Sequence, residues 1–277
     1  MRFLLIARCL LLMMLCCAGA GMRLHAQPLN KDRIAILGDS TAYAGHWANE
    51  VENTLRDDKK FAACEIVNFA VPSETVAGLS EYGHAGGRFP RPCLHERLSR
   101  ILKMYQPQLI LACYGMNDGL MQAFDRARFQ AYQEGNIRLK KAADAAKAEI
   151  VFITPPLFRG DSAEQAEYDA VLDKYAEWLV SKRKDGWKVI DIRPGLRKLI
   201  AREKAGNPGF RYSGDGVHPG PEGHHMIARE VLAGLVPEIG LAPEVAEKDH
   251  RPTPDTMKKH EKVRNEWLVK PGHARPE

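Results

Sequence analysis

Three short stretches of the chain carry side chains able to do chemistry together. The first is Ile36-Leu37-Gly38-Asp39-Ser40, an apolar run that ends in Gly-Asp-Ser just before a segment of helical spacing. A serine at the carboxyl end of a strand faces a cleft, and a helix beginning there favours negative charge developing nearby. Taken alone, the motif reads more simply as a helix cap, since Asp39, Ser40 and Thr41 are all capping types. The second stretch is Tyr114-Gly115-Met116-Asn117-Asp118, again at the end of an apolar run. The Asn117 side chain offers N–H donors to an oxyanion without bringing a charge, although a strand-to-helix turn uses the same residue types. The third is Asp215-Gly216-Val217-His218-Pro219, where a carboxylate and an imidazole stand three residues apart. An aspartate bonded to one ring nitrogen leaves the other free to take a proton from a serine. A surface ion pair or part of a metal site would explain that pair too, but neither explains the other two stretches.

These residues need a scaffold, and the apolar runs supply one. Five of them, Arg33 to Leu37, Glu65 to Phe69, Leu109 to Tyr114, Ile150 to Thr154 and Lys188 to Ile192, have the length of buried strands. Segments of helical spacing stand between or after them: His46 to Leu55, Leu94 to Tyr105, Phe129 to Ala146, Ala163 to Lys182 and Gly223 to Leu235. The alternation predicts a doubly wound α/β domain, a mainly parallel five-stranded sheet with helices on both faces. Ligands in such sheets bind outside the carboxyl ends of the strands, where the first two motifs fall.

All three motifs occur in chain order, and through Gly38-Asp39-Ser40, Gly115-Met116-Asn117-Asp118 and Asp215-Gly216-Val217-His218 the chain resembles the SGNH or GDSL-type serine hydrolases. The likeness runs from about Arg33 to Leu235. It implies a flavodoxin-like fold, an esterase activity, Ser40 as nucleophile, His218 as general base and acid, and Asp215 as its orienting partner. It also implies an oxyanion hole built from the N–H groups of Ser40 and Ser73 and the side chain of Asn117. Ser73, in Asn68-Phe69-Ala70-Val71-Pro72-Ser73-Glu74-Thr75, stands where the family usually has glycine, a difference that matters if the position needs positive φ. The mechanism so implied needs no metal and no organic cofactor. The other histidines, His224 and His225 among them, show no ligand set with carboxylates in the sequence.

Residues 1–26 read as an export signal, with Arg2 and Arg8 flanking an apolar run, Cys9 to Ala20, that is short for a bilayer span. Cleavage after Ala20 and after Ala26 compete, the second lying nearer the polar chain; a lipid anchor at Cys16 or Cys17 would lack the small residue such sites place before the cysteine. A secreted or periplasmic protein without stable membrane insertion is the expectation. Residues 27–241 would form one hydrolase domain and 242–277 a charged tail or covering helix, with Thr256 to Leu268 the helical part. Of six cysteines only Cys64, Cys93 and Cys113 would remain, enough for at most one internal disulfide, and Cys113 reads as a buried small hydrophobe. The net charge of +5 is spread along the chain and does not argue for nucleic acid.

Substrate class is written most legibly in Val76 to Pro92, a long stretch without period. Its portion Glu81-Tyr82-Gly83-His84-Ala85-Gly86-Gly87-Arg88-Phe89-Pro90-Arg91 is polar and cationic, suited to sugar hydroxyls or uronic carboxylates and ill suited to a long acyl chain. His84, Arg88, Arg91 and His95 would equally serve as a solvated surface, and Tyr114 and Trp187 are either sugar-stacking faces or core. The sequence thus favours a short-chain (acetyl) esterase acting on a small-molecule or polysaccharide ester, over a lipase or thioesterase for longer acyl groups and over an inactive sugar-binding module.

Overall fold

Strand β1 (Arg33–Gly38) sends Ile34 and Ile36 to one side and Ala35 and Leu37 to the other, and every one of the four is buried. Period-two alternation with apolar residues on both sides marks a strand covered on both faces. β3 (Leu109–Cys113) and β4 (Glu149–Ile153) do the same: Leu109, Leu111, Val151 and Ile153 join the core on one face, and Ile110, Ala112, Ile150 and Phe152 the core on the other. Each fully buried aliphatic side chain of this kind stabilises by roughly 1.5–3 kcal/mol. With β2 (Glu65–Asn68) and β5 (Lys188–Ile190) they form one five-stranded sheet of order β2-β1-β3-β4-β5, parallel throughout. The computed structural model describes residues 33–158 and 163–270, which fall within one unit spanning Lys31–Glu277. The expected export signal, with Cys9, Cys16 and Cys17, lies outside the described residues.

The helices are α1 (Ser40–Tyr43), α2 (His46–Asp57), α3 (Leu94–Tyr105), α4 (Arg126–Ala145), α5 (Ala163–Ser181), α6 (Arg193–Gly206), α7 (Pro221–Ile239), α8 (Pro243–Ala246) and α9 (Pro254–Val269). Trp47, Val51 and Leu55 of α2 share the first core with Val231, Leu232 and Leu235 of α7. Leu98 of α3, Leu139 of α4 and Leu172 of α5 share the second. The parallel doubly wound sheet expected from the sequence is therefore present, with helices on both faces.

Segment 242–270 is a covering element. Thr253 caps α9 by accepting the Thr256 N–H at 3.2 Å, and Trp267 packs edge-on against Tyr105 and Phe69, with ring centres 5.0 and 5.8 Å away. α9 lies against β2, the edge strand. No helix among the described residues is long and apolar enough to cross a membrane. Cys113 is buried, its Sγ 3.8 Å from the Thr154 carbonyl oxygen, which matches its reading as a small hydrophobe.

Two register facts position the site. Gly38 of β1 pairs with Cys113 of β3, so the two carboxyl ends are level, with Ser40 two residues and Asn117 four residues beyond. The boundary between β1 and β3 is also where the strand order reverses, the place at which such sheets open a crevice.

Candidate active site

Ser40 begins α1 directly after β1, and Asp39 caps that helix by accepting the Thr41 N–H at 3.0 Å. Both readings of the first motif therefore hold: Asp39 is the cap, and Ser40 is left facing outward, half-exposed. Burial pushes the Asp39 carboxyl up to about 6, against the pull of the Thr41 N–H and the His218 ring.

The third motif closes on the first. His218 Nε2 lies 3.0 Å from Ser40 Oγ, and His218 Nδ1 lies 2.7 Å from Asp215 Oδ2. Asp215 Oδ1 accepts the backbone N–H groups of Val217 at 2.9 Å and His218 at 2.7 Å, and the Ser213 hydroxyl at 3.1 Å. Partial burial pushes the Asp215 carboxyl up, but these N–H groups and the imidazole outweigh it and hold the group well below the usual carboxylate range. A permanently ionised Asp215 keeps the proton on Nδ1, so Nε2 is left as acceptor toward the Ser40 hydroxyl. The loop is pinned at its base by Gly220 N–H donating to the Tyr212 carbonyl at 2.9 Å.

Residues 71–74 form a tight turn in which the Glu74 N–H donates to the Val71 carbonyl at 3.2 Å, while the Val71 N–H donates to Gly38 O at 3.0 Å. Pro72 locks negative φ at the second position, and Ser73 has φ +64°, the combination of a type II turn. The position where the family has glycine does require positive φ, and Ser73 occupies it at a steric cost. Because the turn's own hydrogen bond uses the Glu74 N–H, that of Ser73 is not consumed by it.

Asn117 is buried, and its Nδ2 donates to the Glu74 carbonyl oxygen at 3.3 Å. Gly115 before it has φ +130°, and a Cβ there would come within 3.0 Å of the Pro155 ring, so only glycine lets the chain turn at this point. Asp118 Oδ1 accepts the Ala77 N–H at 2.7 Å, and Tyr168 donates its hydroxyl to Met116 O at 2.6 Å, which fixes the turn from two sides.

Beneath lies a charge cluster that the sequence did not disclose. Arg97 donates to Glu74 Oε1 and Oε2 at 2.6 and 2.7 Å and to Phe69 O at 2.6 Å, and the Tyr114 hydroxyl donates to Glu74 Oε2 at 2.6 Å. All three side chains are buried. Such a pair adds little net stability over an apolar replacement, but removing one partner costs about 3–5 kcal/mol. Through Glu74 and the Phe69 carbonyl oxygen Arg97 contacts the chain on both sides of the Ser73 turn. Tyr114 is therefore a core residue and offers no sugar-stacking face. Trp187 likewise stacks on Phe152, with ring centres 4.7 Å apart.

The cationic stretch is only partly the solvated surface its composition suggests. Arg88 is exposed and donates to its neighbour Ala85 O, His84 Nδ1 meets Glu81 at 3.1 Å, and His95 Nε2 lies 3.1 Å from Gly135 O. Arg91 is buried, with Glu81 and Asn117 as partners. Residues Glu81 to Pro90 line a cavity of about 520 Å³ on which Tyr82 stands fully exposed.

The expectation that His225 forms no ligand set with carboxylates is corrected. Its Nδ1 lies 2.8 Å from Glu50 Oε1, and with Asp249 the three offer ligand atoms within 4.8 Å of one another. The partners come from α2 and from the loop after α8, far off in sequence, which no local motif could signal. Arg251 Nε lies 3.5 Å from Asp249 Oδ2 and supplies positive charge at that spot.

A carboxylate, an imidazole and a hydroxyl stand in line beyond the carboxyl end of β1, and the family match makes the chain a carboxylic ester hydrolase. Residues 36–226 match the GDSL-like lipase/acylhydrolase family, and the chain belongs to that family. No curated protein sequence matches it. Among solved structures it is similar to a catalytic mutant of Axe2, an acetylxylan esterase from Geobacillus stearothermophilus, at 15% identity over 76% of this chain and 96% of that one, with a TM-score of 0.58. It is also similar to LAE5, an alpha/beta hydrolase enzyme from the metagenome of Lake Arreo, at 17% identity over 73% of this chain and 94% of that one, with a TM-score of 0.56. At such identities the likeness concerns the fold.

Proposed function

We propose that this esterase removes acetyl groups from a carbohydrate outside the cytoplasm, with Ser40 as nucleophile, His218 as general base and acid, and Asp215 as its orienting carboxylate. The observation that carries the reading is the unbroken contact Asp215–His218–Ser40, at 2.7 and 3.0 Å. Ser40 Oγ attacks the ester carbonyl as its proton passes to His218 Nε2. The oxyanion is met by the N–H groups of Ser40 and Ser73 and by Asn117 Nδ2. His218 then returns the proton to the departing sugar hydroxyl, and water, deprotonated by His218 in turn, releases acetate from Ser40. Support for a sugar comes from the polar groups that Glu81, His84 and Arg88 bring to the edge of a cavity, with Tyr82 as an exposed flat face. Support for export comes from the pattern of residues 1–26.

The test is hydrolysis of 4-nitrophenyl acetate, butyrate and octanoate, followed by acetate release from acetylated xylan and other acetylated polysaccharides, with Ser40→Ala beside the unaltered protein. Preference for acetate, lost in Ser40→Ala, is the expected result. Faster turnover of octanoate would replace the carbohydrate reading with a lipase, and activity surviving Ser40→Ala would remove the serine mechanism.

A further inference from the structure

The two ends of an asparagine carboxamide have nearly the same shape and opposite polarity: the oxygen only accepts, and the nitrogen only donates, through two hydrogens. An oxyanion hole works with the nitrogen turned toward the substrate and is spoiled with the oxygen there. Arg91 Nη1 lies 2.9 Å from Asn117 Oδ1. A guanidinium carries donors and no acceptor, so this contact can be made only with the oxygen end of Asn117. At the other end one hydrogen of Nδ2 goes to the Glu74 carbonyl oxygen, and the second has no hydrogen-bond partner among the described residues. Flipping the amide would set donor against donor at Arg91 and acceptor against acceptor at Glu74, in a place closed to water.

Arg91 is itself held. Its Nε donates to Glu81 Oε2 at 2.6 Å and its Nη2 to Glu81 Oε1 at 2.8 Å, a planar fork on a carboxylate, while its backbone N–H donates to Ser80 Oγ at 2.9 Å. Its side chain is 6% exposed, which leaves no surface for binding a substrate carboxylate. Glu81 balances the charge, so Asn117 receives an oriented, polarised contact and the oxyanion no bare cation nearby. Resting on the reading of Asn117 as an oxyanion donor, we infer that Arg91 is a positioning residue that fixes the Asn117 amide with its nitrogen toward the oxyanion. Glu81 also edges the cavity lined by this loop, so the segment that holds Arg91 is the one that shapes that cavity.

A double-mutant cycle tests this, using Arg91→Met, Arg91→Lys, Asn117→Ala and the combination of Arg91→Met with Asn117→Ala, with kcat and KM for 4-nitrophenyl acetate. Arg91→Met should lower kcat by roughly tenfold to a hundredfold with KM within about threefold, and Arg91→Lys should recover part of the loss. In the Asn117→Ala background Arg91→Met should cost less than about twofold more, because the amide it orients is gone. An unchanged kcat in Arg91→Met, or an equal loss in both backgrounds, would overturn the inference. If Arg91→Met fails to fold by circular dichroism, Glu81→Gln takes its place in the same cycle, where a smaller loss confined to the Asn117 background supports the role and no loss ends it. A distinct failure, in which Asn117→Ala itself turns over normally, would remove the oxyanion reading and this inference with it.

Discussion

Asp215 grips both ends of the histidine it orients, taking the backbone N–H of His218 on Oδ1 and the ring Nδ1 on Oδ2, each at 2.7 Å. Oδ1 also accepts the Val217 N–H, so an asparagine at this position must put its oxygen there and turn its NH2 toward the imidazole. A donor facing Nδ1 drives the ring proton to Nε2, which then faces Ser40 with the wrong polarity. Asp215→Asn, though nearly isosteric, should therefore lower kcat for 4-nitrophenyl acetate by roughly 10²–10⁴-fold, at least as much as Asp215→Ala. In the alanine variant water can reach this exposed loop. A milder effect from asparagine than from alanine would mean that the backbone contacts do not dictate the amide's orientation.

Ser73 occupies a left-handed position that glycine takes without penalty. Left-handed backbone costs a non-glycine residue about 1–2 kcal/mol, of which the greater freedom of glycine in the unfolded chain returns part. Ser73→Gly should raise unfolding stability by up to about 1 kcal/mol and keep acetate turnover within about twofold, since the N–H is retained. Ser73→Val, β-branched at positive φ, should lower both. Chemical denaturation with parallel kinetics checks the pair, and a less stable glycine variant would show that the serine hydroxyl holds the turn.

The strands were legible because their side chains go alternately into two buried cores, which makes each run apolar throughout and bounded by turns. Helix α6 was not: Arg193-Pro194-Gly195 reads as a turn, and only Leu196, Leu199 and Ile200 betray its inner face among charges. Pro194 opens that helix, and Gly195 lies against the Glu230 carboxylate of α7. Ser40, Asp215, His218 and Asn117 were readable because each sits at a strand end or on a loop of fixed spacing. Arg91 was not, since its burial depends on a carboxylate ten residues back in a loop without period. Glu50 and His225 meet only through the packing of α2 on α7.

Asp118 is buried, and burial pushes its carboxyl up to about 7 against the Ala77 N–H, with the Asp39 charge adding to the rise. The sign follows from linkage. Above the ordinary value of 3.8 and below about 7 the folded protein keeps a proton that the unfolded chain has released, so stability falls as pH rises through that window. Asp39 and Glu50, raised to about 6 and about 7, act in the same direction. Asp118→Asn removes one such contribution, so the loss of unfolding free energy between pH 4 and 8 should shrink by an amount on the order of a few kcal/mol. Unfolding at several pH values compares slopes and is insensitive to any constant cost of the amide. Parallel slopes would place the charge of Asp118 in contact with water.

Trp267 ties α9 to the body of the domain through Tyr105 and Phe69, and α9 in turn lies on the edge strand β2. An open strand edge is a template for pairing with another chain, so the helix shields the sheet as well as burying two rings. Arg264 on the same helix stacks over the Tyr43 ring at 3.9 Å and donates to the Tyr43 carbonyl, at the end of the short helix that Ser40 begins. Trp267 is half-buried, so Trp267→Ala should cost about 1–3 kcal/mol, below the range for a fully buried tryptophan, and Trp267→Phe less than half of that. Because α1 is also held by β1 and its own cap, kcat at temperatures where both variants stay folded should change by less than about threefold. Urea unfolding and light scattering on heating read the two consequences separately. A lower midpoint with earlier aggregation supports the covering role, whereas an unchanged midpoint would mean that α9 contributes nothing to holding the domain together.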